Sequence, residues 1–276
     1  PVAAFPALEA APDTPRLDDE AFGERLRMLR RLRAGEPPAV VVTTVQSLLE
    51  LVPTAQQLDA RSRRIALGDE VDLDELSGWL VRGGFQHLAA VRLPGEFSIH
   101  GGIIDIFGAD AEQPVRIELF GDTVDSIRLF DVETQRSVES LGAVEFSSGV
   151  AGEPDAGNFI DYVPAASWWF VVEPAEIESE GRNFLARHRD ADGLGTVSDL
   201  LRRLYGFACV TAEAITAGGL GTTCRLAVES VERFQGDVAE VRSHFDEAAA
   251  GDEVYLICET EAEVNRLGDL LATTAA

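Results

Sequence analysis

The residues with most to offer a binding partner are Arg116 and Phe120. They stand four apart in Pro114-Val-Arg-Ile-Glu-Leu-Phe120, an alternating run that predicts a β-strand. On one face of a strand such a pair is separated by about 13 Å. Arg and aromatic side chains supply much of the binding energy of protein interfaces, so the pair suits two anchors of one docking surface. A purely structural reading stands beside it, in which a neighbouring loop covers Phe120 while Arg116 neutralises Glu118 and Asp125. Spacing alone leaves the two readings level.

Other chemistry is poorly supported. Ser98 and His100 lie near Asp105, but without the strained Gly-x-Ser-x-Gly turn that a hydrolase nucleophile needs. His87, His188 and His244 read as surface or internally satisfied residues, and Gly218-Gly-Leu-Gly221 as a loop. Cys209, Cys224 and Cys258 form no Cys-x-x-Cys, which argues against a zinc site and for a reducing compartment. All 23 basic residues are Arg; the absence of Lys is most simply a matter of base composition, yet it excludes a P-loop and a Schiff-base nucleophile from the chain. A formal net charge of -25 argues against nucleic acid or an anionic membrane as the main partner, because that binding depends on neutralising phosphate. No apolar run reaches the 18 or so residues of a membrane span. A cytoplasmic, monomeric protein is expected.

The elements that must position these residues fall into three zones. Asp18 is placed to cap a helix in which Phe22, Leu26, Leu29 and Leu32 share a face, with Arg25, Arg27, Arg30, Arg31 and Arg33 on the other. Gly35 and Pro37-Pro38 end it. The arginines from Arg16 to Arg33 suggest nucleic acid, but also complement the helix dipole. Ala39–Val42 reads as a buried strand and Thr43/Thr44 as the cap of the next helix. Asp72 with Glu75 resembles a capping box for a helix reaching Gly83-Gly84. From Phe97 to Phe130 the period becomes two, an antiparallel sheet. Strand–helix texture then returns, with a strand at Trp168–Val172 whose tryptophans should pack in the core, and a helix from Glu176 to His188. Further on, Leu226–Val228 and Val254–Cys258 read as strands and Asp237 as a helix cap. Thr260 with Glu263 caps a last helix with Val264, Leu267 and Leu271 inward.

Gly121-Asp122 fits a two-residue II′ turn between Pro114–Phe120 and Thr123–Phe130. A regular register then pairs Phe120 with Thr123, Leu119 with Val124 and Arg116 with Ile127. It turns Val115, Ile117, Leu119 and Val124 to the core, and Arg116, Glu118, Phe120, Asp125 and Ile127 outward.

The run Gly95-Glu-Phe-Ser-Ile-His-Gly-Gly-Ile-Ile-Asp-Ile-Phe107, the hairpin through Asp131 and Thr134-Gln-Arg-Ser137 together resemble the transcription-repair coupling factor (Mfd) family. Phe5-Pro-Ala-Leu-Glu9 and Phe159-Ile-Asp-Tyr-Val-Pro164 are similar to the same family. UvrB shares the sheet motif but usually lacks the Thr-Gln-Arg-Ser ending.

The resemblance implies an α/β fold: a degenerate helicase-like (RecA-type, P-loop NTPase-like) α/β domain interrupted by a small β-rich α+β UvrB-type insert. Its parts would be 1–70, the start of the α/β domain with its opening elements missing; 71–150, the UvrA-binding insert; and 151–276, the remainder of the α/β domain. It implies a non-catalytic fragment or truncated form that recruits UvrA, with RNA polymerase and double-stranded DNA engaged only through absent regions. ATP and Mg²⁺ would belong to the absent motor domains, and no cofactor to this chain. The family's hairpin contacts transfer to Arg116 and Phe120, with Glu118 between them, and tip the balance toward an interface. His100 stands where the family has a second contact Arg, and a neutral imidazole cannot grip a carboxylate in two places. Gly108 stands in place of a usual Pro and is expected to loosen the next loop. In Phe170-Val-Val-Glu-Pro174, Val172 occupies the Asp position of a helicase metal motif. The alternatives are a DNA-engaging helicase domain of the UvrB type and an autoinhibitory packing module of the full-length translocase.

Overall fold

Two short strands, β1 (Val2–Phe5) and β2 (Val40–Thr43), run parallel because helix α1 (Glu20–Arg33) carries the chain back between them. The computed structural model describes residues 2–8, 17–148, 155–188, 193–214 and 260–272. Residues 1–217 form one compact unit and 218–276 a second. The expected elements at Leu226–Val228, Asp237 and Val254–Cys258, and the Gly218–Gly221 loop, lie outside the described residues.

Helix α1 starts one residue later than its sequence suggests: Asp19, not Asp18, accepts from the Ala21 and Phe22 amides. Its buried side includes Leu26, Met28 and Leu29, and also Arg25, which was expected on the open face. The guanidinium of Arg25 lies over the Phe5 ring, 4.4 Å from its centroid, and bridges to Glu50 at 2.8 Å. An aromatic face, a buried carboxylate and the Pro6 carbonyl together satisfy a cation that helical periodicity alone would turn to water. Burial pushes the Arg25 pKa down and the Glu50 pKa up, in each case more than the partner's charge restores.

Helices α2 (Val45–Leu49) and α3 (Ala55–Ala60) follow, capped by Thr44 and by a full Thr54/Gln57 capping box. Strand β3 (Ser62–Ala66) pairs antiparallel with β10 (Ala143–Ser147), so the intervening chain leaves and returns through a two-stranded neck. Beyond the neck, α4 (Leu73–Arg82) is capped by Asp72. The capping box read there does not close, because Glu75 clasps Arg63 bidentately instead.

The sheet that follows has the order β4-β5-β6-β7-β8-β9, from Gln86–His87, Glu96–His100, Ile103–Ile106, Val115–Phe120, Thr123–Phe130 and Ser137–Ser140. All its pairs are antiparallel except β4 with β5. Its inner face supplies Phe97, Ile104, Ile106, Val115, Ile117, Val124 and Ile127 to a core shared with Leu76 and Leu80 of α4. The loop after Gly108, expected to be loose, closes a turn from Ala111 N to Gly108 O, and Asp110 ties it to Arg27 and Arg30 of α1.

Strand–helix texture then returns with β11 (Trp168–Val172), α5 (Pro174–Arg187), α6 (Val197–Leu204) and β12 (Ala208–Ala212), the strands again parallel. The expected burial of both tryptophans fails for one: Trp169 packs against the core, while Trp168 is 72% exposed. Val40 and Val42 of β2 are exposed for the same reason. Each is a strand in a two-stranded strip of which only one face meets the core, so period two sends alternate side chains outward. In the second unit, α7 (Glu261–Ala272) begins with Glu263 N donating to Thr260 Oγ1 at 3.2 Å, while Val264, expected inward, is exposed. No described helix is long and apolar enough to cross a membrane.

Candidate functional site

The outer face of the six-stranded sheet gathers three of the four candidate residues into facing rows. One row runs Ser98, Asp105, Arg116 and Arg128 across β5 to β8; the next runs His100, Ile103, Glu118 and Ser126. Phe120 stands beyond them, where β7 meets the turn.

The turn forms as its residues require. Gly121 has φ of +65°, and Asp122 returns to negative φ, the pattern of a II′ turn. The regular register, however, breaks after one step. Leu119 faces Val124 as expected, but Glu118 faces Ser126 and Arg116 faces Arg128, with Asp125 bulged out between. Val124 and Ile127 are three apart, an odd spacing that alternation cannot turn to one side. One extra residue on β8 lets both reach the core. Ile127 is therefore buried, not outward, and Arg128 takes a place in the outer charge ladder. The bulged strand is held from the other side by Val71 N to Asp122 O at 2.7 Å and Val124 N to Asp69 O at 2.9 Å.

Arg116 does not neutralise Glu118 or Asp125. Its Nε and Nη2 donate to the two carboxylate oxygens of Asp105 at 2.7 and 2.8 Å, its Cζ lies over the Phe130 ring 4.6 Å from the centroid, and Nη2 also donates to Gln135 Oε1 at 3.3 Å. The hydrogen bond that Arg116 donates to Asp105, ahead of the opposing cost of burial, raises the Arg116 pKa. Glu118 has its own partners: Ser126 Oγ donates at 2.9 Å and Arg128 Nη2 at 2.5 Å. His100 ends β5 with Nε2 2.8 Å from Ala89 O, ahead of Gly101 at φ of +60°. Among the described residues no loop covers Phe120, which is 86% exposed. Next to it on the face Ile103 is also open to solvent.

The face thus carries two internally balanced ion pairs, Asp105–Arg116 and Glu118–Arg128, beside an uncovered aromatic ring. Asp105, Arg128 and Gln135 are the members that sequence reasoning missed. The odd Val124–Ile127 spacing announces Arg128, and Asp105 lies in the motif, where its nearness to Ser98 and His100 suggests only a triad.

The end of β11 shows a different arrangement. Glu173 follows β11 with φ of +51°, a conformation few side chains adopt, and its Oε1 accepts from Ala214 N at 2.6 Å. Its carboxylate serves as a backbone clamp between the ends of β11 and β12. Among the described residues no group of three or more potential ligands could hold a metal ion.

Comparison with known proteins places these observations. Residues 64–149 match the family described as the UvrB interaction domain, a span that begins in β3 and ends just past β10. The chain is 41% identical over 125 residues, 45% of its length, to the transcription-repair-coupling factor of Bacillus subtilis. It is 38% identical over 142 residues, 51% of its length, to that of Myxococcus xanthus. Against the transcription-repair-coupling factor of Mycobacterium bovis, the identity is 30% across 99% of the chain. The chain spans only 10%, 12% and 20% of the lengths of these three relatives.

Proposed function

Since this chain resembles transcription-repair-coupling factors along nearly its whole length and carries a UvrB interaction domain, we propose that it is a non-catalytic module that recruits UvrA. In a longer protein it would link displacement of a stalled RNA polymerase to nucleotide excision repair. The observation that carries the reading is Phe120: a large apolar ring held 86% exposed at the tip of a pinned hairpin, within the matched segment. A ring in water has no stabilising role in the fold, whereas inserted into an apolar pocket it removes its surface from water. Arg116 lies on the same face of β7 with one edge of its guanidinium open, so a partner can take a pocket contact and a polar contact together.

A hydrolysing helicase domain is disfavoured by chemistry on the chain itself. No Lys is present to reach nucleotide phosphates, Val172 stands where the resemblance would place a metal-binding Asp, and the neighbouring Glu173 carboxylate is spent on Ala214 N–H. Four of the five α1 arginines also have internal work: Arg27 and Arg30 bind Asp110, Arg33 binds Asp59 and Arg25 is buried on Glu50. The RecA-type reading of the α/β part, the division at 70 and 150, and the absence of a cofactor belong to this proposal.

The test is equilibrium binding of purified UvrA to the chain and two variants. Phe120→Ala should weaken binding by about tenfold, and Arg116→Ala by about thirtyfold, as hot-spot truncations do. Phe120→Ala should leave unfolding stability within about 0.5 kcal/mol of the parent, as an exposed site. Unchanged affinity in both variants would remove this face from the account.

A further inference from the structure

We propose that Asp105 is a positioning residue for partner recognition: with the Phe130 ring and the Gln135 amide, it fixes the Arg116 guanidinium so that only its Nη1 edge is offered outward. The inference rests on the reading of this sheet face as a docking surface and adds a residue that does not itself reach the partner. Asp105 is almost buried on β6, directly opposite Arg116 in the ladder, and takes Nε and one Nη2 proton in a two-point grip. A bidentate grip sets the guanidinium plane as well as its place. Phe130, buried beneath, closes one side of that plane.

Gln135 closes the remaining Nη2 position, and the fold has gone out of its way to put it there. It is one of two described non-glycine residues with positive φ, at +57°. The turn that imposes this is built by Asp131, whose carboxylate accepts from both Thr134 N and Thr134 Oγ1, and whose carbonyl accepts from Gln135 N at 2.8 Å. The Gln135 Nε2 donates to Val132 O at 2.9 Å, which orients its Oε1 toward Arg116. Of the five guanidinium protons, three are engaged, and no described residue accepts from Nη1. A long, flexible side chain is thereby reduced to one edge before any partner arrives, which removes ordering entropy from the binding step.

The experiment is a double-mutant cycle on UvrA binding by the chain, read with Asp105→Asn, Gln135→Gly, Arg116→Ala and their pairs. Asp105→Asn should weaken binding by about tenfold in the parent and change it less than about twofold in the Arg116→Ala background. Gln135→Gly places glycine where φ is already positive, which offsets the lost side-chain contacts, so it should lower the folding equilibrium constant by no more than about fivefold, or about 1 kcal/mol. It should weaken binding by about threefold in the parent and not at all without Arg116. Should Asp105→Asn not fold, the Gln135→Gly arm decides. Parent-like affinity in both single variants, while Arg116→Ala still weakens binding, overturns the positioning role alone. So do equal losses with and without Arg116, which would mark a general structural defect. Parent-like binding by Arg116→Ala overturns this inference, and the reading it rests on falls with it only if Phe120→Ala also binds like the parent.

Discussion

Among individual residues, the decisive contrast is between Phe120, which the fold leaves uncovered, and Arg116, which the fold holds on three sides. Spacing put both on one face but could not say which was free, because cover and ion-pair partners come from β6 and β8 and from the loop after β8. His100 joins the same face on β5. An Arg there would add a charge-assisted donor, so His100→Arg should tighten UvrA binding about fivefold, worth about 1 kcal/mol. A weaker complex in the same titration would mean that imidazole is what the partner fits. Asp131 makes a pH prediction. Its pKa is lowered, first by the Thr134 amide and then by the Thr134 hydroxyl, from a usual 3.8. A lowered carboxylate stabilises the fold above its unfolded pKa and loses that contribution as pH falls through its folded one. The melting-temperature gap between the parent and Asp131→Asn should therefore be constant above about pH 5 and close as pH falls below the ordinary Asp range. A gap that persists at pH 2 would show that the turn does not depend on the charge.

Among the elements, the hairpin's strands, turn type and apolar face were legible, since alternation and Gly121-Asp122 each admit one solution. The bulge at Asp125 was not read, although Val124 and Ile127 demand it, because a regular register was assumed to run past the turn. Arg25 failed for a related reason. Helical periodicity counts it as polar and outward, but the stack on Phe5 and the Glu50 carboxylate come from β1 and the end of α2, beyond any local window. Gly102 shows how tightly β6 and β7 meet beside the site. A Cβ at that position would sit 2.9 Å from Leu119 O, and Leu119 N donates back to Gly102 O at 2.8 Å. Gly102→Ala should cost about 1–3 kcal/mol in urea unfolding, as overpacking against backbone does. A cost near zero would mean that the two strands can part without loss.

Across the first unit, two parallel strips with helices flank a mostly antiparallel sheet entered through the β3–β10 neck, and α1 is tied to the sheet's β6–β7 loop through Asp110 and to the neck through Glu145. The alternation of textures made this plan legible in the sequence. The exposed faces of β2 and β11 were not, because a short apolar run reads the same whether one side or both meet a core. The acidic balance, -25 overall, points to protein rather than nucleic acid, and the outer sheet face proposed for docking agrees by pairing Arg116 and Arg128 each with a carboxylate of its own. The central claim is that UvrA docks on the outer sheet face around the 116–126 hairpin. Amide hydrogen exchange of the chain with and without saturating UvrA tests it most directly. The account predicts slowed exchange at 100–103 and 116–126, with α5 at 174–187 unchanged. Protection confined to α5 and the Trp168 strand, with the hairpin exchanging as in the free chain, would contradict it.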